Sequence, residues 1–341
     1  MAKKIKKSKG KLVKLLLIEI LILLLLLGGY KIYSTLKKIN FDNSQDGNIL
    51  TNLFPDENQK GYRNIAIFGV DSRDNKLDKD THSDAIMVAS INNKSKDVKL
   101  VSIYRDTYSN IPGYDFDKIT HAYFKGGYAL SLSTINTNFD LNVTEYITVN
   151  FKALVNTIDS LGGIELDITD AELKYLNGYV RELNKINGSS VGKLKSAGKQ
   201  TVNGTQATAY ARIRYTKGGD FKRAERQRIV ISKMLDKVKA TDKVKVLSII
   251  DDIFPQVYTN LTSTEILKLA KSFASYNIVG ETGFPFEKDA HTYKKVSYVF
   301  PINLEENVIK LQEFLFENET YEPSSTVKEY SKYIESIRTQ K

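Results

Sequence analysis

The chain has 341 residues, of which 41% are hydrophobic and 26% are charged. A chain of this length and composition can bury the core of one large domain or two ordinary ones, so a disordered protein is excluded. It contains no Cys and only three His. Zinc fingers, disulfides and thiol catalysis are therefore excluded, and a metal site would use carboxylates, which favour a hard ion such as Mg²⁺.

The formal net charge of +10 is unevenly distributed. Residues 1–59 hold ten Lys and five acidic residues, which accounts for +5 of it. The remaining +5 is spread over residues 60–341, which is too dilute to predict a track for a polyanion. We therefore expect no nucleic-acid partner.

The N-terminal segment is basic and then strongly apolar. Seven Lys lie in residues 1–14, and nine Leu and three Ile follow within Leu15–Tyr30, interrupted by Glu19. At roughly 0.5 kcal/mol for each Leu or Ile, this run outweighs the roughly 3 kcal/mol of one ionisable residue. We predict a cytoplasmic tail over 1–14, a transmembrane helix over 15–33 and an external tether over 34–59. A cleaved signal peptide is the alternative, but no small-x-small cleavage site follows the run.

Three runs predict strands of a sheet, and the first of them is continuously apolar without alternation, which is typical of a strand buried on both faces. They are Asn64–Val70, Ala85–Ile91 and Val98–Tyr104. Asp71 follows the first run, Asp84 precedes the second and Arg105 follows the third. If the three strands are antiparallel neighbours, the two carboxylates and the guanidinium meet at one edge of the sheet.

Strands and helices alternate along the rest of the chain, which is typical of an α/β protein. Strands are predicted at Tyr146–Asn150, Ile164–Ile168, Ile278–Gly283 and Val296–Phe300, and helices at Ala129–Phe139, Phe151–Leu161, Asp170–Asn187, Thr262–Tyr276 and Leu304–Phe316. The Gly/Ser/Lys segment Gly188–Gln200 is either a mobile flap or an insertion. We predict a catalytic domain over 60–320, followed by a polar tail over 321–341 that forms a frayed helix.

The stretch Tyr210–Gln227 concentrates arginines. In extended form Arg212 and Arg214 point to the same face, because the side chains of a strand alternate with a period of two. The pair Gly218-Gly219 then breaks the chain. The first half of the stretch therefore predicts two guanidinium groups on one face of a strand.

The second half of the stretch predicts a helix over residues 221–239, with Asp220 as its N-cap. Arg223, Arg226 and Gln227 fall on the same helical stripe as apolar residues further along, so they point inward. Inward-facing arginines are costly unless an anion meets them, and their forks match phosphate oxygens in a bidentate way. The pattern indicates a phosphate clamp. A solvated helix face is the alternative interpretation.

Five motifs occur together in one order. They are Phe68-Gly69-Val70-Asp71-Ser72-Arg73, Ser83-Asp84, Ser102-Ile103-Tyr104-Arg105-Asp106, Asp159-Ser160-Leu161-Gly162-Gly163-Ile164 and the stretch Tyr210–Gln227. With these motifs the sequence resembles the LytR-CpsA-Psr family over roughly Asn64–Leu235. Two positions depart from the family pattern, which usually has Arg where His82 stands and Pro where Tyr104 stands. Because His is mostly neutral at pH 7, His82 is a weaker phosphate ligand than Arg.

The resemblance implies an extracytoplasmic phosphotransferase of the cell membrane in Gram-positive bacteria. Such an enzyme moves a glycopolymer, such as a teichoic acid, capsule or other secondary wall polymer, from a polyprenyl pyrophosphate carrier to peptidoglycan. The implied fold is a single α/β domain with a central mixed β-sheet between helical layers and a pocket for the prenyl chain. Its implied partners are the lipid-linked glycopolymer, peptidoglycan and membrane lipid.

The resemblance also assigns roles to residues. Asp71 and Asp84 correspond to carboxylates that hold Mg²⁺, and with Arg105 they are the predicted catalytic residues. The predicted pyrophosphate-binding residues are Arg73, Arg105, Arg212, Arg214, Asp220, Arg223, Arg226 and Gln227. Arginines and Mg²⁺ together would stabilise the charge that develops on the leaving phosphate. Asp71 or Asp84 is alternatively the general base, although a cation-bound carboxylate is a poor one, and His121 is interpreted as structural.

Three alternative functions remain open from the sequence. The same site with water as the acceptor would make a polyprenyl-pyrophosphate hydrolase. A membrane-bound transcription regulator would require the domain to lie in the cytoplasm, against the prediction from the N-terminal lysines. A non-catalytic module that binds wall polymers would not need inward-facing arginines around a metal.

Overall fold

The computed structural model describes residues 40–41, 49–52, 59–70, 77–78, 80–242, 245–246, 248–249, 253 and 256–340. Within these ranges the strands are β1 (Asn40–Phe41), β2 (Tyr62–Val70), β3 (Ser83–Asn92), β4 (Asp97–Ile103), β5 (Tyr108–Asn110), β6 (Phe116–Lys118), β7 (Glu145–Asn150), β8 (Ile164–Ile168), β9 (Gly198–Val202), β10 (Val257–Thr259), β11 (Asn277–Phe284), β12 (Lys288–Tyr293) and β13 (Val296–Pro301). The helices are α1 (Thr120–Phe139), α2 (Phe151–Ser160), α3 (Asp170–Asn187), α4 (Gly204–Ala211), α5 (Gly219–Lys239), α6 (Ser263–Ser272), α7 (Leu304–Phe316) and α8 (Ser325–Arg338).

The central sheet is mixed and has the strand order β1-β10-β7-β2-β3-β4-β11. Strands β2, β3 and β4 are antiparallel neighbours, whereas β7 pairs with β2 and β11 pairs with β4 in parallel. Val70 lies opposite Ser83, and Ile86 lies opposite Ile103. The end of β2, the start of β3 and the end of β4 therefore meet at one edge, as the sequence predicts.

Helices cover both faces of the sheet. On β2, Phe68 and Val70 point into a core that includes buried residues of α1, α7 and α8. The alternate residues Ile65 and Ile67 face the opposite side, where α5 and α6 contribute Ile231 and Leu269. Apolar side chains on both faces explain why this strand lacks the alternation of an exposed sheet. The predicted α/β fold with a central mixed sheet between helical layers is confirmed.

The segment before Arg212 is a helix, so the predicted extended conformation is wrong. Asn203 and Gln206 form a capping box that begins α4, each side chain accepting a hydrogen bond from the other residue's backbone N–H. Gly204 lets this helix approach α2 closely, since a Cβ there would lie 2.1 Å from the Val155 carbonyl oxygen. Residues 212–214 follow as an irregular segment.

The start of α5 also differs from the prediction. The N-cap is Gly218, with a positive φ of 97°, and no side chain caps the helix. Asp220 lies instead within the first turn, where its carboxylate pairs with Arg223 of the same helix and lies near Arg214 of the preceding segment. The predicted extent of the helix is otherwise confirmed.

The C-terminal segment packs against the core, so the prediction of a frayed tail is wrong. Helix α8 buries Val327 and Ile334 in the main core. The buried Asp140 carboxylate accepts hydrogen bonds from the Tyr321 hydroxyl and the Ser324 backbone N–H, both at 2.8 Å. The helix is therefore part of the folded domain.

The segment Gly188–Gln200 is tied to α3 and ends in β9. The Asn177 side chain bonds both the N–H and the carbonyl of Leu194, and Asn184 does the same for Val191. Of the two interpretations left open by the sequence, an ordered insertion fits these contacts. The predicted transmembrane helix and most of the tether lie outside the described residues. Within the described ranges, no helix combines the length and apolarity that a membrane span requires.

Candidate active site

Two of the predicted catalytic residues meet at the edge formed by β3 and β4. Asp84 is the second residue of β3, and Arg105 follows β4 by two residues. An Arg105 Nη1–H donates to Asp84 Oδ1 at 2.5 Å, and the two side chains are each about one-quarter exposed. Burial opposes the charge of Arg105, but Asp84 and Asp106 outweigh it and raise the pKa of the guanidinium. Arg105 is therefore a fixed cation with a carboxylate beside it.

The first turns of α5 bring Asp220 and Arg223 to the same edge, where Arg214 of the preceding segment lies beside them. Asp220 Oδ1 lies 3.2 Å from Arg223 Nη1 and 3.7 Å from Arg214 Nε. The Arg223 side chain is 8% exposed, and its Nε has no hydrogen-bond partner among the described residues. Burial lowers the pKa of Arg223, with Asp220 opposing the shift and Arg105 adding to it. This guanidinium is short of negative charge and is the part of the site best suited to an anion.

Arg212 enters the site between two aromatic rings. Its guanidinium carbon lies 5.2 Å from the Phe151 ring centroid and 5.3 Å from that of Tyr179. Its Nη2 donates to Glu182 Oε1 at 3.1 Å. The stacking holds the planar group in place while leaving its edge for other partners.

These side chains surround one polar cavity of about 240 Å³. Its lining residues are Asp84, Phe151, Tyr179, Glu182, Arg212, Arg214, Arg223 and Gln227. A narrow crevice lined by Arg105 and Asp220 adjoins it and shares Asp84, Arg223 and Gln227. Arg212 and Arg214 thus both line one cavity, although the segment that carries them is irregular and not the predicted strand.

An apolar cavity of about 230 Å³ adjoins the polar one. Phe151 and Gln227 line both cavities. The other lining residues are almost entirely apolar and come from the central sheet, α2 and α5, among them Ile67, Gly69, Ala85, Met87, Leu154, Val230, Ile231 and Met234. From the sequence, Val230 and Met234 are assigned to the apolar stripe of the helix, with no indication that they line a cavity rather than fill a core.

Arg226 does not share the polar cavity, and its predicted role is corrected on that point. It is 1% exposed. Its Nε donates to Glu172 at 2.8 Å, its Nη1 to the Ile213 carbonyl at 3.0 Å and its Nη2 to Thr216 Oγ1 at 2.6 Å. With its guanidinium bonded inside the protein, Arg226 holds the irregular segment against α3 and α5.

The predicted residues Asp71 and Arg73 lie outside the described residues. Val70, the last described residue before them, is paired with Ser83 beside Asp84. In the described part of the chain, no group of three or more His, Asp or Glu side chains is placed to hold a metal ion. Mg²⁺ is commonly held by one or two carboxylates together with phosphate oxygens of the substrate, and the hard oxygen donors of Asp84 fit that pattern.

The sequence matches the model of the LytR_cpsA_psr family over residues 27–312. The match covers well over half of the chain. The chain belongs to the LytR-CpsA-Psr family.

Named relatives of this LytR-CpsA-Psr protein are transferases. The polyisoprenyl-teichoic acid--peptidoglycan teichoic acid transferase TagU of Enterococcus faecalis is 30% identical over 249 residues, which are 70% of this chain and 76% of that one. The TagT transferase of Bacillus subtilis is 28% identical over 240 residues, which are 68% of this chain and 71% of that one. This family member is accordingly an enzyme of the transferase class.

A solved structure shares the fold. The LytR-CPS2A-psr family protein YwtF (TagT) with bound octaprenyl pyrophosphate lipid superposes with a TM-score of 0.57 at 23% identity, covering 81% of this chain and 99% of that one. At this identity the likeness establishes the fold alone.

The two departures from the LytR-CpsA-Psr pattern have local structural partners. His82 stacks on Phe124 at a centroid distance of 4.9 Å and lies 5.2 Å from the His121 ring. Burial, followed by the charge of His121, lowers the pKa of His82, so it is neutral at pH 7. Tyr104 packs edge-on against Phe221 at 4.6 Å, and Gly283 leaves room for its hydroxyl. The His121 Nδ1–H donates to the Asp117 carboxylate at 2.7 Å, which agrees with a structural role.

Proposed function

We propose that this enzyme is a membrane-anchored extracytoplasmic phosphotransferase. It transfers a glycopolymer, such as a teichoic acid or capsule, from a polyprenyl pyrophosphate carrier to peptidoglycan. The Lys-rich N-terminus and the apolar segment after it support the anchor and the external location. The names of its transferase relatives support the reaction class.

One observation carries the proposal. A cavity lined by Arg212, Arg214 and Arg223 adjoins an apolar cavity, and the two share Phe151 and Gln227. A polyprenyl pyrophosphate has this division of chemistry, with two or more negative charges joined to a hydrocarbon chain. The arginines meet the charge by bidentate hydrogen bonds, and the apolar cavity removes hydrocarbon surface from water. A soluble nucleotide or free sugar phosphate would leave the apolar cavity without a partner.

The residues of the site have different roles in the transfer. The acceptor hydroxyl oxygen forms a bond to the phosphorus on the glycan side, and the bond from that phosphorus to the bridging oxygen breaks. Polyprenyl phosphate leaves with the negative charge, and the hydroxyl proton passes to a base. Arg105 and Arg223 lie where they can stabilise this growing charge, because their guanidiniums are held before the substrate arrives. Arg212 and Arg214, which line the same cavity, orient the pyrophosphate.

Mg²⁺ is proposed as the cofactor, with Asp71 and Asp84 as its protein ligands. The ion would neutralise phosphate oxygens and polarise the phosphorus under attack. Asp84 Oδ1 lies 2.5 Å from Arg105 Nη1, so the carboxylate proposed to bind Mg²⁺ also positions an arginine of the phosphate clamp. Arg73 is proposed as a further phosphate ligand on the same edge, from its motif position alone.

The decisive experiment compares neighbouring residues of α5. Arg223→Ala should lose most transfer of a lipid-linked glycan to peptidoglycan and most carrier lipid that co-purifies with the protein, measured by extraction and mass spectrometry. Lys222→Ala is the matched control, because Lys222 pairs with Glu225 on the exposed side of the same turn. Equal lipid retention by both variants would contradict the clamp. Release of free glycan without any wall acceptor would identify a hydrolase instead.

A further inference from the structure

The described part of the N-terminal segment enters the domain at the catalytic edge of the central sheet. Strand β1 pairs with β10 in parallel, β10 is antiparallel to β7, and β7 is parallel to β2. β1 therefore runs in the opposite direction to β2, whose last residue, Val70, lies opposite Ser83 and next to Asp84. Through these pairings Asn40 lies at the level of Phe68, close to that end of β2. The chain thus arrives from the edge that carries the proposed transferase site.

Only a short stretch connects this entry point to the predicted transmembrane helix. That helix is predicted over 15–33, so residues 34–39 alone separate it from β1. Fully extended, this stretch spans at most about 25 Å. Further along, the segment is bound to the domain, since the Asn52 side chain donates to Asp140 Oδ1 at 2.7 Å. The distance between the membrane and the catalytic edge is therefore limited by residues 34–39.

The short connection favours one orientation of the domain. With the catalytic edge toward the membrane, Asn40 lies on the near side and residues 34–39 have length to spare. With the opposite edge toward the membrane, Asn40 would lie at least about 20 Å above it, which is the rise along β2 from Tyr62 to Phe68. Residues 34–39 would then have to be almost fully extended, at a cost in conformational entropy.

The surface around the catalytic edge has the side chains of a membrane interface. Tyr215 directly follows the last arginine of the irregular segment and is 67% exposed, the largest exposed fraction of any large hydrophobic side chain in the described part of the chain. Phe124 is 44% exposed and stacks on His82, which directly precedes β3. Each ring has an exposed lysine within two residues, Lys217 and Lys125 respectively. Aromatic rings and lysines are the side chains that proteins place at lipid head groups.

We propose that this face docks on the outer lipid surface of the membrane. Its contact residues, which we call the rim, are Phe124, Lys125, Tyr215 and Lys217. The two rings lie among the lipid head groups, and the lysines are attracted to anionic lipids. Asp84 and Arg214, which neighbour these rings along the chain, line the arginine cavity, so a pyrophosphate head group reaches that cavity directly from the bilayer. The proposal rests on the membrane anchor of the proposed function, but not on the transfer reaction.

The absence of Trp from the sequence allows a single Trp to report this contact. The full-length Tyr215→Trp protein is reconstituted in vesicles of phosphatidylglycerol and phosphatidylcholine, with or without brominated acyl chains, which quench Trp fluorescence. Because an interfacial ring lies about 5–10 Å deep at the boundary of head groups and acyl chains, bromination should reduce the fluorescence at least about twofold. Phe124→Trp is the second reporter and should respond in the same way. Asn93→Trp is the matched control and should not be quenched, since Asn93 is exposed in the turn after β3, at the opposite end of the sheet.

The same measurements can overturn the proposal. If bromination leaves either rim reporter unchanged, the catalytic edge does not dock on lipid, and a wall polymer or solvent covers the rim instead. Quenching of Asn93→Trp as strong as that of the rim reporters would show that the domain has no such orientation. Protein that fails to float with the vesicles would refute the anchor itself, and with it this proposal.

A further variant separates this surface from the transferase site. Arg223→Ala in the Tyr215→Trp protein should lose transfer activity but keep the quenching by brominated lipid. Quenching without transfer in the Tyr215→Trp protein itself would leave the docking surface in place and count against the transferase alone. If Arg223→Ala removed the quenching, the ring would be responding to the ligand cavity, which would overturn the docking proposal.

Discussion

Arg223 and Arg226 are one turn apart on α5, and the structure predicts opposite consequences for their replacement. Arg226→Met removes three hydrogen bonds and leaves the Glu172 carboxylate, in a residue 5% exposed, without its cation. Breaking a buried ion pair by removing one partner costs about 3–5 kcal/mol. For a domain of this size the melting temperature should fall by about 5–8 °C.

Arg223→Met is the matched control, because Arg223 is nearly as buried as Arg226 but poorly paired. Burial lowers the pKa of Arg223 in spite of Asp220, which means that folding disfavours its charged form. Removing that charge should therefore cost less than about 1 kcal/mol of stability, or even stabilise the fold. Transfer activity should nevertheless fall sharply in this variant, since the proposed phosphate ligand is gone.

The assay is chemical denaturation of the full-length proteins in detergent, followed by circular dichroism. A double variant, Glu172→Gln with Arg226→Met, removes both charges. Its loss of unfolding free energy should be about 1–3 kcal/mol smaller than the sum of the losses in the two single variants. If Arg223→Met destabilised the protein as much as Arg226→Met, the division into a structural and a ligand-binding arginine would be refuted.

Arg105→Lys keeps the charge beside Asp84 but loses the fork of donors. We expect near wild-type thermal stability with at least a tenfold loss of transfer and carrier-lipid retention, and normal retention would place the clamp elsewhere. Asp71→Ala should abolish Mg²⁺-dependent transfer without unfolding the protein, whereas wild-type activity that survives a chelator would remove the metal from the mechanism. Burial acts to raise the pKa of Glu172, but hydrogen bonds from Thr169 and Arg226 outweigh it and lower that pKa. The stabilisation of the folded state that this lowered pKa provides is complete above about pH 4.3 and is lost as the pH falls further. Glu172→Gln should therefore reduce the fall in melting temperature at acidic pH, and an unchanged fall would contradict the assignment. External protease on intact cells should digest residues 60–341 and spare the N-terminus, and a protected domain would contradict the external location.

Much of the central sheet was predictable because its signals are local. Strands β2, β3 and β4 were all predicted, and the apolar run of β2 has no alternation, which is the pattern of a strand covered on both faces. Their antiparallel order then brings Asp84 and Arg105 together, since each lies within two residues of a strand end. The family resemblance followed from motifs that are themselves short and ordered.

The sequence analysis did not predict helix α4 or the packing of helix α8 against the core, for different physical reasons. The capping box of Asn203 and Gln206 is a local signal for the start of helix α4, and the prediction of an extended segment did not take it into account. The polar composition after Glu322 gave no such signal. The packing of α8 depends on Asp140, which binds Tyr321 and Ser324 across more than 180 residues of chain.

The sequence by itself determined which arginines lie on the inward stripe of α5, because a helix repeats every 3.6 residues. It did not determine what each of them meets. Arg226 faces Glu172, which lies 54 residues away along the chain, whereas Arg223 faces a cavity that also holds Arg212 and Arg214. Periodicity specifies a direction from the helix axis, and only the tertiary structure supplies the partner in that direction.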